Sequence, residues 1–437
     1  MSITNFFRRS LFGLTCVCFA LEARAELEIA LSPSKTNGLY QLGETIVWQV
    51  KVSGDDSAAI HQADYVLKQG GATVIGRGTL AFTNGTGSIQ TSLTEPGTIL
   101  ATVTATNASQ QVIKALGGAA VAPEKIPASS PCPADFDAFW QAKLNELSAV
   151  PEQPVLEKGV SGVTNVDYWK LTLNNIRGTH IQGQLARPVR GEKLPAMLIV
   201  QYAGVYPLQK QWVTERAAQG WLVLNIMAHD LPIDESAAFY QAQATNELNN
   251  YTAIGRDDRD HSYFVRMFMG CYRAAEYLSE RPDWDGKTLV VTGTSQGGIQ
   301  SFVTAALNPK ITALLTLVPA GCDNTGDLVG RQPGWPGWLN GVSVGDKEKV
   351  RQTSRYFDAV NFAARVQCPS LVGLGLIDTT SPASGVFAAF NQLRGPKEIV
   401  VMSHAEHKNR NGSQALYSKR FDPWNKALVK GKPVPPE

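Results

Sequence analysis

An α/β fold behind a smaller all-β region is what this sequence predicts, on three observations. Beyond residue 134, short runs dense in Val, Ile and Leu alternate with segments of helical period. Such near-continuous apolar runs suit strands covered on both faces, and their alternation with helices suits a mostly parallel sheet. Before residue 122, short Val-, Ile- and Thr-rich segments are punctuated by Gly, Asn, Asp and Pro, which is the grammar of a β-sandwich. Finally, Gly293-Thr294-Ser295-Gln296-Gly297 lies between an apolar run and a helical run. A chain of 437 residues, 43% hydrophobic and 18% charged, has the core for two globular domains.

The elements follow in order. Residues 1–25 read as a signal peptide: Arg8 and Arg9, the apolar run SLFGLTCVCFAL, then the small-x-small site Ala23-Arg24-Ala25. Cleavage near Ala25 predicts a secreted or periplasmic protein. The run is too short to span a bilayer, and no other such run is present. Residues 26–122, with TIVWQVKVSG, ADYVLKQ, GSIQTSLTE and GTILATVTATN, read as an immunoglobulin-like sandwich. It is expected to pack or space rather than bind glycan, since no cluster of aromatics marks it. Residues 123–133 read as a linker, and 134–437 as the catalytic domain. There AMLIVQY, WLVLNIM, TLVVTG, ALLTLVP, SLVGLGLI and EIVVMS are strand candidates. PADFDAFWQAKLNELSAV and HSYFVRMFMGCYRAAEYLSER carry apolar residues at helical spacing.

Charge and cysteine content exclude some functions. Loss of residues 1–25 lowers Lys plus Arg from 40 to 37 and Asp plus Glu from 38 to 37, leaving a formally neutral chain without a basic run. Nucleic acid and a polybasic membrane patch are therefore not expected as partners. Cys132, Cys271, Cys322 and Cys368 remain; they are open to two disulfides in any of three pairings, or to free thiols. No C-x-x-C spacing survives, so no zinc site or other metal is expected.

Gly341-Val342-Ser343-Val344-Gly345 repeats the serine pattern, so context must choose between the two. Ser295 follows TLVVTG and precedes IQSFVTAALN, the strand–turn–helix setting of a nucleophile elbow. Ser343 follows the loop GWPGWLN and precedes charged DKEKV, so it is assigned to loop structure. A serine hydroxyl needs a base oriented by a carboxylate. In this strand–helix order the acid comes next and the base last. Asp378 follows SLVGLGLI and is the expected acid. His404 and His407 are the downstream histidines; His407 is favoured because a base reaching across the sheet rides on a loop. The oxyanion donors are expected to be the amides of Gln296 and of Val205 or Tyr206, after AMLIVQY. Tyr206, Trp335 and Trp338 are candidate substrate contacts, the tryptophans alternatively anchoring their loop by burial.

GTSQGG, YFDAVNFAARVQCPSLVGLGLIDTTSPASGVFAAFN, VQYAGVY and PCPADFDAFW together resemble the acetyl xylan esterase/cephalosporin-C deacetylase family, carbohydrate esterase family 7, over about residues 130–430. The resemblance implies an α/β-hydrolase fold and removal of small acyl groups, chiefly acetyl, from sugar hydroxyls; the serine route itself requires no cofactor. It implies Ser295 as nucleophile, Asp378 as acid and His407 as base, although Lys408 follows where the family usually has Glu. LNIMAHDLP stands where the family often carries Arg-Gly-Gln, a segment tied to site shape and subunit contacts. A homo-oligomer and the acetylated carbohydrate it would act on are thus left open in detail. A peptidase-like serine hydrolase and a non-catalytic glycan-binding protein are the alternative readings.

Overall fold

A computed structural model describes residues 27–55, 57–107 and 110–436; residues 1–25, read from the sequence as a signal peptide, lie outside them. Eight strands come first: β1 (Glu28–Pro33), β2 (Leu39–Tyr40), β3 (Ile46–Ser53), β4 (Gln62–Gln69), β5 (Thr73–Ala81), β6 (Thr86–Thr91), β7 (Gly97–Thr106) and β8 (Val112–Val121). They form a three-stranded sheet, β1-β3-β6, and a five-stranded sheet, β2-β8-β7-β4-β5. Alternate residues such as Ile46, Trp48 and Val50 turn inward to a shared core with Ile99, Ala101 and Val103. That is the period-two pattern of strands with one buried face.

The chain then forms α1 (Phe136–Ser148), β9 (Val155–Gly159), β10 (Val166–Asn174), β11 (His180–Pro188), β12 (Leu194–Val200), α2 (Gln211–Ala218), β13 (Leu222–Ile226), α3 (Ala237–Thr245), α4 (Tyr263–Glu280), β14 (Trp284–Thr294), α5 (Gln296–Leu307), β15 (Ala313–Leu317), α6 (Lys347–Ser354), α7 (Ala359–Ala363), β16 (Ser370–Gly375), α8 (Ala383–Gln392), β17 (Lys397–Met402) and α9 (Ala415–Leu428). The nine strands make one sheet, ordered β17-β16-β15-β14-β12-β13-β11-β10-β9. From β13 to β17 neighbours are parallel. Every residue of β13 and β16 is buried, because α4, α5, α7 and α8 cover one face while α2 and α9 cover the other.

All six apolar runs read from the sequence lie on these parallel strands. The expectation missed β9–β11, which pair antiparallel and make the sheet mixed. β10, VDYWKLTLN, alternates buried and half-buried positions, so one face is wet and no continuous apolar run marks it.

Strand order reverses beside β12, whose neighbours are β13 and β14. Such a switch point opens a crevice at the carboxyl ends of the strands. The loops leaving β12 and β14 carry Gly204 and Ser295.

The segment read as a linker is fastened rather than free. Ile126 is buried, Asn391 donates to the carbonyls of Pro123 and Ile126, and the Ser129 amide donates to Asp323 at 2.7 Å. The β region also abuts the loops that matter below. A Cβ on Gly118 would come within 2.5 Å of Leu376, two residues before Asp378, and Ser403 Oγ donates to the Thr36 carbonyl at 2.7 Å. Cys132, Cys271, Cys322 and Cys368 are all free thiols; burial pushes the thiols of Cys271 and Cys322 upward and keeps them protonated. No described helix is long and apolar enough to cross a membrane.

Candidate active site

Between β14 and α5 the backbone turns within one residue. Ser295 has φ 59° and ψ −119°, a conformation that costs a non-glycine residue about 1–3 kcal/mol and persists only where its surroundings enforce it. Its amide donates to the Leu317 carbonyl, and its carbonyl accepts from Gly298 and Ala320. Close approach explains the flanking glycines. A Cβ on Gly293 would stand 2.4 Å from the Gly297 carbonyl oxygen, and one on Gly297 would stand 2.7 Å from that of Val200. Only hydrogen atoms fit at both places.

His407 lies on the loop between β17 and α9. Its Nε2 is 2.8 Å from Ser295 Oγ, and its Nδ1 is 2.8 Å from Asp378 Oδ2. Gln414 holds this loop by donating to the carbonyls of Glu406 and His407. Asp378 Oδ1 accepts the amides of Thr380 and Ser381, both at 2.8 Å. The Asp378 side chain is fully buried, while that of His407 keeps 19% exposure. The carboxylate is therefore fixed, and the imidazole remains open on the serine side. Nδ1–H donates to the carboxylate, which leaves the Nε2 lone pair to accept the serine proton.

His404 is exposed, on the flank facing the β region, beside Glu406 and Ile377; it takes no part in the series. Gln296 opens α5, so its amide has no intrahelical acceptor. Val205 and Tyr206 follow Gly204, whose φ of 123° is open to glycine. The Tyr206 ring stacks on Tyr202 at 4.7 Å, and its hydroxyl donates to the Tyr202 carbonyl at 2.9 Å. Tyr202 is 45% exposed. It escaped the sequence reading because it ends the apolar run AMLIVQY and looks like strand.

Trp335 and Trp338 part company. Trp335 is half-buried, and its amide donates to the Thr380 carbonyl just past Asp378; it lines a cavity of about 440 Å³ with Gln332 and Thr379. Trp338 is 5% exposed and stacks on Phe357, centroids 5.7 Å apart. Trp338 lines the same cavity, but its burial favours the alternative reading, an anchor for its loop.

Sequence reasoning also missed His229, in LNIMAHDLP. It is buried, with Nδ1 2.6 Å from the Tyr263 hydroxyl and Nε2 3.1 Å from the Gly204 carbonyl. Desolvation pushes its pKa down to about 4, so it is neutral at neutral pH. Its position just past β13, at the carboxyl end of the sheet, was the available signal. Among the described residues, no group of three or more His, Cys, Asp or Glu side chains could hold a metal ion.

The family model described as acetyl xylan esterase (AXE1) matches residues 124–422. An acetyl esterase, Axe7A, of Xylanibacter ruminicola is 33% identical over 305 residues, covering 68% of this chain and 69% of that protein. The solved acetyl xylan esterase from Paenibacillus sp. R4 superposes with a TM-score of 0.61 at 20% identity, covering 70% of this chain and 98% of that one. Acetyl xylan esterase 1 from Thermoanaerobacterium sp. JW/SL YS485 does so at 0.60 and 24%, covering 68% and 96%. At these identities the two structures speak for the α/β-hydrolase fold alone.

Proposed function

The chain belongs to the acetyl xylan esterase family, and from that premise we propose that it removes acetyl groups from carbohydrate hydroxyls by way of an acyl-serine at Ser295. It is a carboxylic ester hydrolase; the substrate, the serine route and the site residues are our reading. The observation that carries it is the unbroken hydrogen-bonded series from Ser295 through His407 to Asp378.

In this mechanism His407 Nε2 takes the Ser295 proton as Oγ attacks the ester carbonyl. The amides of Gln296 and Val205 (or Tyr206) receive the oxyanion; losing one such donor costs about a hundred- to thousand-fold in rate. The sugar alcohol departs with the proton from His407. A water molecule, activated by the same nitrogen, cleaves the acyl-serine. Asp378 holds the imidazole and stabilises its charged form. Tyr206 and Trp335 are read as walls for the sugar. Residues 1–25 act as an export signal, which fits a polymeric substrate outside the cell. Residues 26–122 form an immunoglobulin-like module that braces the loops of Asp378 and His407.

The test is acetate release from acetylated xylan and acetylated oligosaccharides, with Ser295→Ala as the blank. Release lost in the variant is expected; release retained in full refutes the site. Cleavage of p-nitrophenyl acetate but not of aminoacyl esters separates this reading from a peptidase. Saccharide binding without acetate release would favour a non-catalytic protein.

A further inference from the structure

Resting on that reading, we propose that His229 is a positioning residue. As the Nε2–H tautomer it fixes the peptide between Gly204 and Val205, and so selects the Val205 amide as the second oxyanion donor.

The hydrogen-bond inventory sets the tautomer. Arg266 donates to the Tyr263 hydroxyl oxygen. A carbonyl oxygen only accepts, so the ring nitrogen facing Gly204 must carry the hydrogen, and in a neutral ring the other nitrogen, Nδ1, then accepts the Tyr263 phenol proton at 2.6 Å. The ring nitrogen that carries hydrogen is then Nε2, which donates to the Gly204 carbonyl at 3.1 Å. Burial keeps this imidazole neutral, so no charge competes with the arrangement. In a trans peptide the carbonyl and the next amide N–H point in opposite directions. Holding the Gly204 oxygen toward His229 therefore turns the Val205 N–H away from it. Gly204 needs such a hold: at φ 123° it occupies a region that glycine alone visits freely, and it can leave that region as freely.

The same cluster reaches the other oxyanion donor. The ring of Tyr251 meets His229 edge-on, centroids 4.8 Å apart, and its hydroxyl donates to Gln296 Oε1 at 2.5 Å. Gln201 closes the circuit, accepting the Ala228 amide and donating to the Tyr206 carbonyl. The Tyr206 carbonyl is thus held from a different side, and the 204–205 peptide depends on His229.

The experiment compares two near-isosteric variants on p-nitrophenyl acetate, with thermal midpoints measured beside the kinetics. His229→Gln can carry an N–H close to the Nε2 position and is expected to keep kcat within about threefold of wild type. His229→Asn places its amide near Nδ1 and is expected to lose about ten- to a hundredfold in kcat with KM nearly unchanged, part of the cost of an oxyanion donor. Equal losses in both variants, wild-type kcat in the Asn variant, or a change confined to KM would overturn the proposal. Should the variants not fold, nitrogen NMR of histidine-labelled wild-type enzyme decides: a buried Nε2–H tautomer is expected, and Nδ1–H contradicts it. A Ser295→Ala protein that still hydrolyses ester sinks the esterase reading itself. An inactive Ser295→Ala beside a fully active His229→Asn sinks this inference alone.

Discussion

Gly293-Thr294-Ser295-Gln296-Gly297 and Gly341-Val342-Ser343-Val344-Gly345 share one five-residue pattern and meet different surroundings. At the first, both glycines are compressed against backbone, at 2.4 and 2.7 Å from a Cβ, and the serine is held at positive φ. At the second, nothing lies within 4 Å of a Cβ on either glycine, and Ser343 Oγ spends its hydrogen bond on Asp346 at 2.7 Å in an exposed turn. The difference lies in what precedes each pattern. β14 drives the first into the sheet, where β15, β12 and α5 crowd it. A loop delivers the second to solvent. A nucleophile motif is thus a demand for close packing, and the letters alone do not supply the packing.

The largest effect that could break this comparison is at the two serines. Ser295→Ala is expected to lower kcat by about a million-fold, the scale on which triad nucleophiles act. Ser343→Ala should leave acetate release within twofold. Equal losses would mean that packing does not distinguish them. Next, Asp378→Asn should cost about ten-thousandfold in kcat with the protein still folded, because an amide holds the imidazole in the wrong tautomer; steady-state kinetics with a thermal melt checks both halves. Smaller again, Gly293→Ala should destabilise by about 1–3 kcal/mol, the range for overpacking, whereas Gly345→Ala should be neutral in the same denaturant titration. The smallest effect sharpens the choice of base: His404→Ala, on the flank facing the β region, should hydrolyse p-nitrophenyl acetate at the wild-type rate.

Much of the architecture was legible because parallel strands buried on both faces write themselves as apolar runs. β12 through β17 were found this way, and with them the order Ser295, Asp378, His407. β9–β11 were not, since their half-wet alternation carries a weaker signal than a run such as VVTG. The hydrogen-bonded series could be anticipated from order and strand ends. The network behind it could not: His229, Tyr251 and Tyr263 lie 25, 47 and 59 positions beyond Gly204, and only folding brings them to it. Trp338 was legible only as a choice: a loop rich in Pro and Gly left open whether its tryptophan meets sugar or anchors the loop, and contact with Phe357 and Phe264 favours the anchor.

The central claim is that the hydroxyl at 295 becomes covalently acylated during turnover. Acid quenching of the enzyme early in its reaction with p-nitrophenyl acetate, followed by peptide mass spectrometry, tests it directly. The account predicts one acetyl group on the peptide containing Ser295, lost when Ser295 is replaced by Ala. Rapid ester turnover with no acetyl on that peptide at any time point, or with the acetyl carried on another residue, would contradict it.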